Sequence, residues 1–200
     1  MKTTKDKLID AGSELFLIHS YQGTGINEVL KTCGVPKGSF YNYFASKEDF
    51  ALAVIENQMA QSAEFVMQNL CNETLSPLNR IAAYLDSISQ GMVDCHFAMG
   101  CLFGTLAQEM SSLSPKLRQT LTKAFQVQVG HLTDCLRLGQ SQGEIRSDLK
   151  ATELAGFIMS ALQGAQIMAK TFVNSAPLHE VRHIVVEVLL PIAAANNSQV

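Results

Sequence analysis

Apolar residues recur along this chain at intervals of three and four positions, and no other feature of the sequence constrains the fold as strongly. The segment Lys5 to Ser20 is typical, because its apolar residues share one face of a helix. They are Leu8, Ala11, Leu15 and Ile18. Strand-like alternation of apolar and polar residues is absent from the sequence. We therefore predict an all-α fold of about nine helices.

Composition indicates a compact protein rather than a disordered one. Of 200 residues, 47% are hydrophobic and 16% are charged, so the chain can build a core and carries less polar coating than an ordinary monomer. No apolar run approaches the ~20 residues that span a bilayer, and the lysine-rich N-terminus has no apolar signal core. We expect a cytoplasmic protein with no membrane partner and with some apolar surface that meets another subunit.

The cysteines also favour a reducing compartment. The chain has 5 of them, and none belongs to a C-x-x-C pair. An odd number of widely spaced cysteines predicts neither a disulfide scaffold nor a zinc site.

Charge does not by itself predict a nucleic-acid partner. The net charge is −3, and the first 50 residues carry 6 lysines against 6 acidic residues. Any attraction to nucleic acid must therefore come from a local surface rather than from the overall charge.

Two short helices separated by a glycine-containing turn are predicted near the N-terminus. Their ranges are Thr24 to Lys31 and Pro36 to Phe44, with the turn at Thr32 to Val35. Thr24 is expected to be the N-cap of the first helix, and Pro36 is expected at the first position of the second. This is the arrangement of a helix-turn-helix, in which the segment from Val35 to Phe44 would read the major groove of double-stranded DNA.

The second of these helices has an unusual surface. Phe40 and Phe44 repeat at i and i+4 and should anchor in the core, while Gly38 would let the backbone approach a duplex closely. Lysine, serine and asparagine can hydrogen-bond base edges or phosphates, and tyrosine offers both an apolar ring and a hydroxyl. The residues predicted to face outward are Lys37, Ser39, Tyr41, Asn42 and Tyr43.

Three segments of this region resemble the DNA-binding domain of the TetR family of repressors. They are Thr24 to Leu30, Gly34 to Phe44, and Ser46-Lys47-Glu48, and they match the family's Gly-Val turn, its aromatic cluster and its Lys-Glu at the start of a fourth helix. The resemblance implies a repressor that binds a palindromic operator, with no enzymatic activity and no cofactor. It also implies base or phosphate contacts by Lys37, Ser39, Tyr41 and Asn42, and phosphate contacts by Thr24, Tyr43 and Lys47.

The rest of the chain would then hold an inducer pocket and pair two subunits, as in that family. The sequence supports pairing independently, because Leu154 to Met168 and Leu178 to Ala194 present more apolar surface than a monomer covers. We expect an isologous homodimer. The predicted division of the chain is a helix-turn-helix domain at 1–46, a ligand-binding and dimerisation domain at 47–195, and a frayed tail at 196–200.

An inducer pocket is predicted among aromatic, aliphatic and sulfur-bearing residues of the middle helices, which could surround a small hydrophobic ligand. Packing in the protein core is the alternative for each of them. The candidates are Tyr84, Ile88, Met92, Phe97, Phe103, Phe125 and Met159.

Cys101 is a separate candidate. Gly100-Cys101-Leu102 resembles the start of the sixth helix in the electrophile-sensing N-ethylmaleimide repressor subgroup, where the cysteine at this point is the reactive one. A helix N-terminus favours the thiolate, so a small electrophile could trap Cys101 and act as the inducer. Core packing of Cys101 is the alternative, and the sequence leaves both open.

Two other functions remain open on the sequence alone. One is a redox protein that uses Cys101 with a histidine, and the other is a helical interaction module with no DNA partner. The chain contains no nucleophile elbow, phosphate loop or cofactor fingerprint. His179, His183 and Glu187 fall at i, i+4 and i+8 on one helical face, but we interpret them as a solvated or interface rim rather than a metal site.

Overall fold

The computed structural model describes residues 2–192, and within that range it contains nine α-helices, a short π-helical segment and no strand. The prediction of an all-α fold is confirmed. The helices are α1 (Thr4–Gly23), α2 (Ile26–Cys33), α3 (Lys37–Phe40), α4 (Lys47–Gln68), α5 (Pro77–Asp94), α6 (Leu102–Met110), α7 (Pro115–Ser141), α8 (Ala151–Phe172) and α9 (Ala176–His183). The tail predicted at 196–200 lies outside the described residues.

Side-chain caps fix where two of the N-terminal helices begin. Thr3 and Asp6 form a reciprocal capping box at α1, with Asp6 N–H donating to Thr3 Oγ1 at 3.2 Å and Thr3 N–H donating to Asp6 Oδ2 at 2.9 Å. At α4, the Asp49 N–H donates to Ser46 Oγ at 3.0 Å. These contacts satisfy N–H groups that the first turn of a helix leaves without a backbone partner.

The chain divides into two compact units, and the first comprises Met1–Glu64 and Cys95–Val127. Its core contains residues from α1 to α4 together with residues from α6 and the beginning of α7. Phe16, Phe40, Phe50 and Phe103 are among its largest fully buried side chains. The predicted functional boundary at residue 46 stays a prediction, but the core around α2 and α3 is completed by side chains that follow residue 100.

The second unit comprises Phe65–Asp94 and Gln128–Val200. Glu144 holds the start of α5 there, because its carboxylate accepts the Ser76 hydroxyl and the Leu78 N–H. Helix α8 packs against α9, and α9 continues as a π-helical segment, Ile184–Leu189. The helix predicted from Leu178 therefore begins two residues earlier, and its last predicted residues lie outside the described range.

Candidate nucleic-acid interface

A left-handed glycine closes the first helix of the helix-turn-helix. Gly34 has φ +65° and lies at the C-terminal end of α2, where its N–H donates to the Leu30 and Lys31 carbonyls. The Val35 N–H also donates to Leu30 O, at 3.0 Å. A residue with a Cβ is strained at this φ, so glycine is the residue that lets the chain turn sharply from α2 into α3.

Helix α3 is shorter than predicted and begins one residue later. Pro36 lies at the N-cap with φ −60° and ψ 145°, and regular helix extends only from Lys37 to Phe40. The prediction of Pro36 as the first helical residue and of a helix reaching Phe44 was therefore wrong at both ends. After Phe40 the chain forms a turn, in which the Tyr43 and Phe44 N–H groups both donate to Phe40 O at 3.0 Å.

Three buried phenylalanines pack against one another on the core side of this turn. Phe40, Phe44 and Phe50 are at most 4% exposed, and their ring centroids lie 5.0 to 5.3 Å apart. Two of the three pairs have the edge-to-face geometry that aromatic rings prefer. The predicted anchoring of Phe40 and Phe44 in the core is confirmed, and it fixes the direction of the residues between them.

Those intervening residues point to solvent. Tyr41 is 60% exposed and Tyr43 is 44% exposed, and Asn42 between them is also exposed. Ser39 is half-buried, and a Cβ added to the exposed Gly38 would meet no atom within 4 Å. The backbone of Lys37 is described, but its side chain is not. The structure thus brings Gly38, Ser39, Tyr41, Asn42 and Tyr43 together on one short segment.

Thr24 is buried and is not the N-cap of α2. Its side chain is 1% exposed, and its hydroxyl donates to Ser20 O at 2.7 Å and to Leu15 O at 3.2 Å. Gly25 occupies the N-cap of α2, without a side-chain cap. The prediction of Thr24 as N-cap was wrong, because the carbonyls at the end of α1 take its hydroxyl, and we no longer expect a phosphate contact from this buried group.

The half-buried Lys47 side chain contacts the end of α1. Its ammonium donates to Tyr21 O and lies 4.3 Å from the centroid of the Tyr21 ring. Burial lowers the pKa of Lys47, and the nearby Glu109 carboxylate opposes that shift. A phosphate contact by Lys47 stays a prediction, and it would require the side chain to leave Tyr21.

Sequence reasoning missed Glu109. Its two carboxylate oxygens accept the Tyr21 N–H at 2.7 Å and the Gln22 N–H at 2.8 Å. Glu109 lies on α6, more than eighty positions away in the chain, and an acidic residue on an amphipathic helix gives no signal of such a contact.

Cys101 is the N-cap residue of α6 and is half-buried against the core of the first unit. Its carbonyl accepts the Thr105 N–H at 2.9 Å, and its sulfur is in no disulfide. The turn that leads to it has two consecutive residues in the left-handed region, His96 with φ 52° and Phe97 with φ 58°. Such backbone is strained in residues other than glycine.

The other cysteines differ in environment. Cys135 is buried, its thiol lies 3.5 Å from Pro77 O, and burial raises its pKa to about 11. Cys33 donates to Val29 O at 3.0 Å, whereas Cys71 is exposed. Among these, Cys71 is therefore the thiol most open to reagents.

The predicted pocket residues divide between the two units. Phe97, Phe103 and Phe125 belong to the first, where the rings of the last two lie 6.3 Å apart. The members in the second unit are Tyr84, Ile88, Met92 and Met159, and all but Ile88 are buried. The Tyr84 ring lies 5.5 Å from that of Phe65. The pocket itself stays a prediction.

The described residues offer neither a metal site nor a membrane-spanning helix. Across residues 2–192, no three His, Cys, Asp or Glu side chains are arranged to hold a metal ion, and Glu187 accepts a hydrogen bond from Arg182 at 3.1 Å. Within the same part of the chain, every helix is too short or too polar to cross a bilayer.

Two family descriptions match the chain. Residues 8–54 match "Bacterial regulatory proteins, tetR family", and residues 77–185 match "Tetracyclin repressor-like, C-terminal domain", which alone spans more than half of the 200 residues. The chain belongs to the TetR family. Membership predicted from the sequence is thereby confirmed.

Individual TetR-family relatives agree with this assignment. The HTH-type transcriptional repressor DhaR of Mycobacterium sp. strain GP1 is 32% identical over 187 residues, which cover 94% of this chain and 92% of that protein. The transcriptional regulator AcuR of Cereibacter sphaeroides is 35% identical over 172 residues, 86% of this chain and 78% of that protein.

A solved structure extends the likeness to the whole described fold. The reduced form of NemR from Escherichia coli matches with a TM-score of 0.84 and 28% identity over 96% of this chain and 99% of that chain. This TetR-family chain is a DNA-binding regulator of transcription. Its relatives are regulators, so the prediction that it is not an enzyme is confirmed.

Proposed function

We propose that this protein is a homodimeric repressor that binds a palindromic operator. It would release the operator when an inducer binds within residues 47–195 or modifies Cys101. The observation that carries the proposal is the exposed Tyr41-Asn42-Tyr43 turn on its buried phenylalanine support. Exposed tyrosine rings on a rigid turn suit contacts with thymine methyls and phosphates, and asparagine suits the edge of adenine.

Dimerisation is supported by an apolar groove along α8 and α9. The groove has a volume of about 320 Å³, and its lining includes Phe157, Gly164, Met168 and Ile184. Phe157 is 56% exposed and Ile184 is 47% exposed, values that are costly for large apolar side chains on an isolated subunit. A second copy of the same surface would bury both, which is the isologous contact of a two-fold dimer.

Two buried amide oxygens support a ligand site in the second unit. Gln128 Oε1 and Gln166 Oε1 are shielded from solvent and have no hydrogen-bond partner among the described residues. A buried acceptor without a partner costs about 1–3 kcal/mol, which a ligand donor would recover. We therefore propose an inducer that combines an apolar body with a hydroxyl, amine or amide donor.

Modification of Cys101 is the alternative trigger. The residue is half-buried rather than sealed, and it begins the helix that carries Glu109. A bulky adduct on this sulfur would displace the first turn of α6. The relative NemR is described as a transcriptional repressor, and the structure of its reduced form has a similar fold.

The first experiment enriches palindromic duplexes from a random DNA library with the wild-type protein and measures their binding by mobility shift. We expect an enriched palindrome that two subunits bind. Enrichment of no palindrome at low salt would instead favour a helical interaction module or a cysteine-based redox protein.

The second experiment separates the triggers. N-ethylmaleimide is added to the operator complex of a Cys71→Ser variant and of a Cys71→Ser, Cys101→Ser double variant, so that the exposed thiol does not contribute. Release of DNA by the first protein alone supports sensing at Cys101. Equal release, or none from either, leaves the ligand pocket as the trigger.

A further inference from the structure

Helix α1 is broken close to its end. Ser20 has φ 58° and ψ −178°, so the helix is interrupted there and resumes for one short turn before α2. A positive φ in a serine costs free energy, and it persists only where surrounding contacts hold it. The break also disturbs the regular pairing of neighbouring backbone groups, which must find other partners.

The N–H groups that follow the break are held by one side chain. Tyr21 N–H donates to Glu109 Oε2 at 2.7 Å and Gln22 N–H donates to Glu109 Oε1 at 2.8 Å. One carboxylate thus accepts two adjacent backbone donors, as a side-chain cap does at the start of a helix. Here the cap comes from α6 rather than from the chain segment before it.

The carbonyl groups at the break are held from other directions. The buried Thr24 hydroxyl donates to Leu15 O and Ser20 O, and the Lys47 ammonium donates to Tyr21 O while lying over the Tyr21 ring. The Tyr21 backbone therefore donates its N–H to Glu109 on α6 and accepts at its carbonyl from Lys47 on α4. The Tyr21 ring also packs 5.6 Å from that of Phe16.

These residues lead directly into the helix-turn-helix. Only Gly23 to Gly25 separate Gln22 from the first residue of α2, so the direction of the chain after the break sets the direction of α2. Glu109 lies one residue before the end of α6, whose buried face, including Leu106 and Met110, belongs to the same core. A shift of α6 would move the carboxylate away from both donors together.

We infer that Glu109 is a positioning residue for operator binding: by capping the break at Ser20, it holds α2 and α3 in the direction that fits the groove. The inference rests on the proposed operator binding. It makes the contact between Glu109 and the Tyr21-Gln22 backbone a specific point at which the position of α6 controls affinity for DNA.

The test compares Glu109→Gln and Glu109→Ala with the matched control Gln108→Ala, which truncates the exposed neighbour on α6. Binding is measured by fluorescence anisotropy to the duplex enriched with the wild-type protein and to a scrambled duplex. Amide hydrogen exchange of Tyr21 and Gln22 is followed in the free proteins. Glutamine is isosteric and keeps one acceptor, so this variant should remain folded.

We expect operator binding to weaken about tenfold in Glu109→Gln, and further in Glu109→Ala, because hydrogen bonds to a charged group are lost. Binding to the scrambled duplex should change less than twofold, and Tyr21 and Gln22 should lose protection from exchange. A purely structural role would lower thermal stability without changing the ratio of the two affinities.

Unchanged operator affinity in both Glu109 variants, or unprotected Tyr21 and Gln22 amides in the wild type, would overturn the inference alone. Failure of the wild-type protein to enrich any palindrome would overturn the proposed function instead. The two failures are thus distinguishable.

Discussion

Gly12 lies so close to Phe50 that a Cβ built on the glycine would approach Phe50 Cζ to 2.3 Å and Val54 Cγ2 to 3.0 Å. The contact joins the middle of α1 to the first turns of α4. Because Phe50 also contacts Phe40 and Phe44, the absence of a side chain at Gly12 lets the aromatic rings beneath the Tyr41–Tyr43 turn pack against α1.

Gly12→Ala should therefore destabilise the protein by about 1–3 kcal/mol, since the added methyl group overpacks a rigid aromatic contact. The measurement is urea unfolding followed by circular dichroism. Gly91→Ala is the control, because Gly91 is an exposed helical glycine with no atom within 4 Å of its added Cβ. That control should be neutral or stabilise by up to ~1 kcal/mol. Equal stability of the two variants would contradict the packing argument.

Tyr41→Ala and Asn42→Ala should each weaken binding to the enriched duplex by about 1–3 kcal/mol while leaving the fold intact, because both side chains are exposed. Anisotropy titration measures the affinity, and gel filtration checks the oligomeric state. Thr122→Ala, a truncation of an exposed residue on α7, is the control. Wild-type affinity in both variants would remove this turn from the DNA interface.

Ile184→Asp and Phe157→Asp should convert the proposed dimer to a monomer, because each places an unpaired charge in the apolar groove along α8 and α9. Sedimentation velocity measures the change, and affinity for a two-site palindrome should fall with it. Thr152→Asp adds the same charge to an exposed position of α8 outside the groove residues and should remain dimeric. Persistence of the dimer in both groove variants would show that the subunits pair through another surface.

Maleimide labelling of the native protein should modify Cys71 first and Cys135 last. Cys71 is exposed, whereas burial raises the pKa of Cys135 to about 11, so that at pH 8 only about one thousandth of it is thiolate. Its labelling should rise as the pH is increased towards that value. Peptide mass spectrometry measures the order, and labelling in denaturant provides the reference. Comparable rates for the two cysteines at pH 8 would be inconsistent with the described burial.

Acid should weaken the salt bridge between Asp49 on α4 and Lys116 on α7. Hydrogen bonds from Lys116 and Ser46 lower the pKa of Asp49, so its contribution to stability is present above its ordinary pKa of 3.8 and is lost as the pH falls through the lower folded-state value. Lys116→Met should shrink this pH dependence slightly, because the pair is solvent-accessible. Thermal unfolding between pH 5 and about 2 measures it, with Lys123→Met as the control. Identical pH profiles for the wild type and Lys116→Met would show that Lys116 does not contribute to this pH dependence.

Local signals in the sequence predicted local structure well. The spacing of apolar residues predicted the helices, and the Gly34 turn followed from conformational preference. The i, i+4 pair Phe40 and Phe44 identified the buried side of α3 and of the turn after it. Each of these depends on residues only a few positions apart, whose relation is fixed by helix geometry.

Contacts between distant parts of the chain could not be predicted in the same way. Thr24 has a residue type and position typical of an N-cap, but its hydroxyl donates to the Ser20 carbonyl at the break in α1 instead. Lys47 is still predicted to contact phosphate, but nothing in the sequence indicated that its ammonium lies over the Tyr21 ring. The capping carboxylate of Glu109 follows from the tertiary packing of α6, which leaves no periodic trace in the sequence.

The brevity of α3 limits how many base pairs its regular helix could face in the proposed DNA complex and leaves the other contacts to the turn at Tyr41 to Tyr43. A helix of four residues is about 6 Å long, and stacked base pairs are about 3.4 Å apart, so the regular part of this element faces roughly two of them. Base sequences of that length recur very often in a genome, which offers at least ~10⁶ competing positions. The proposed dimer would therefore have to recognise its target as much by the distance between two short base sequences as by the bases themselves, and a change in that distance would be as disruptive as a base substitution.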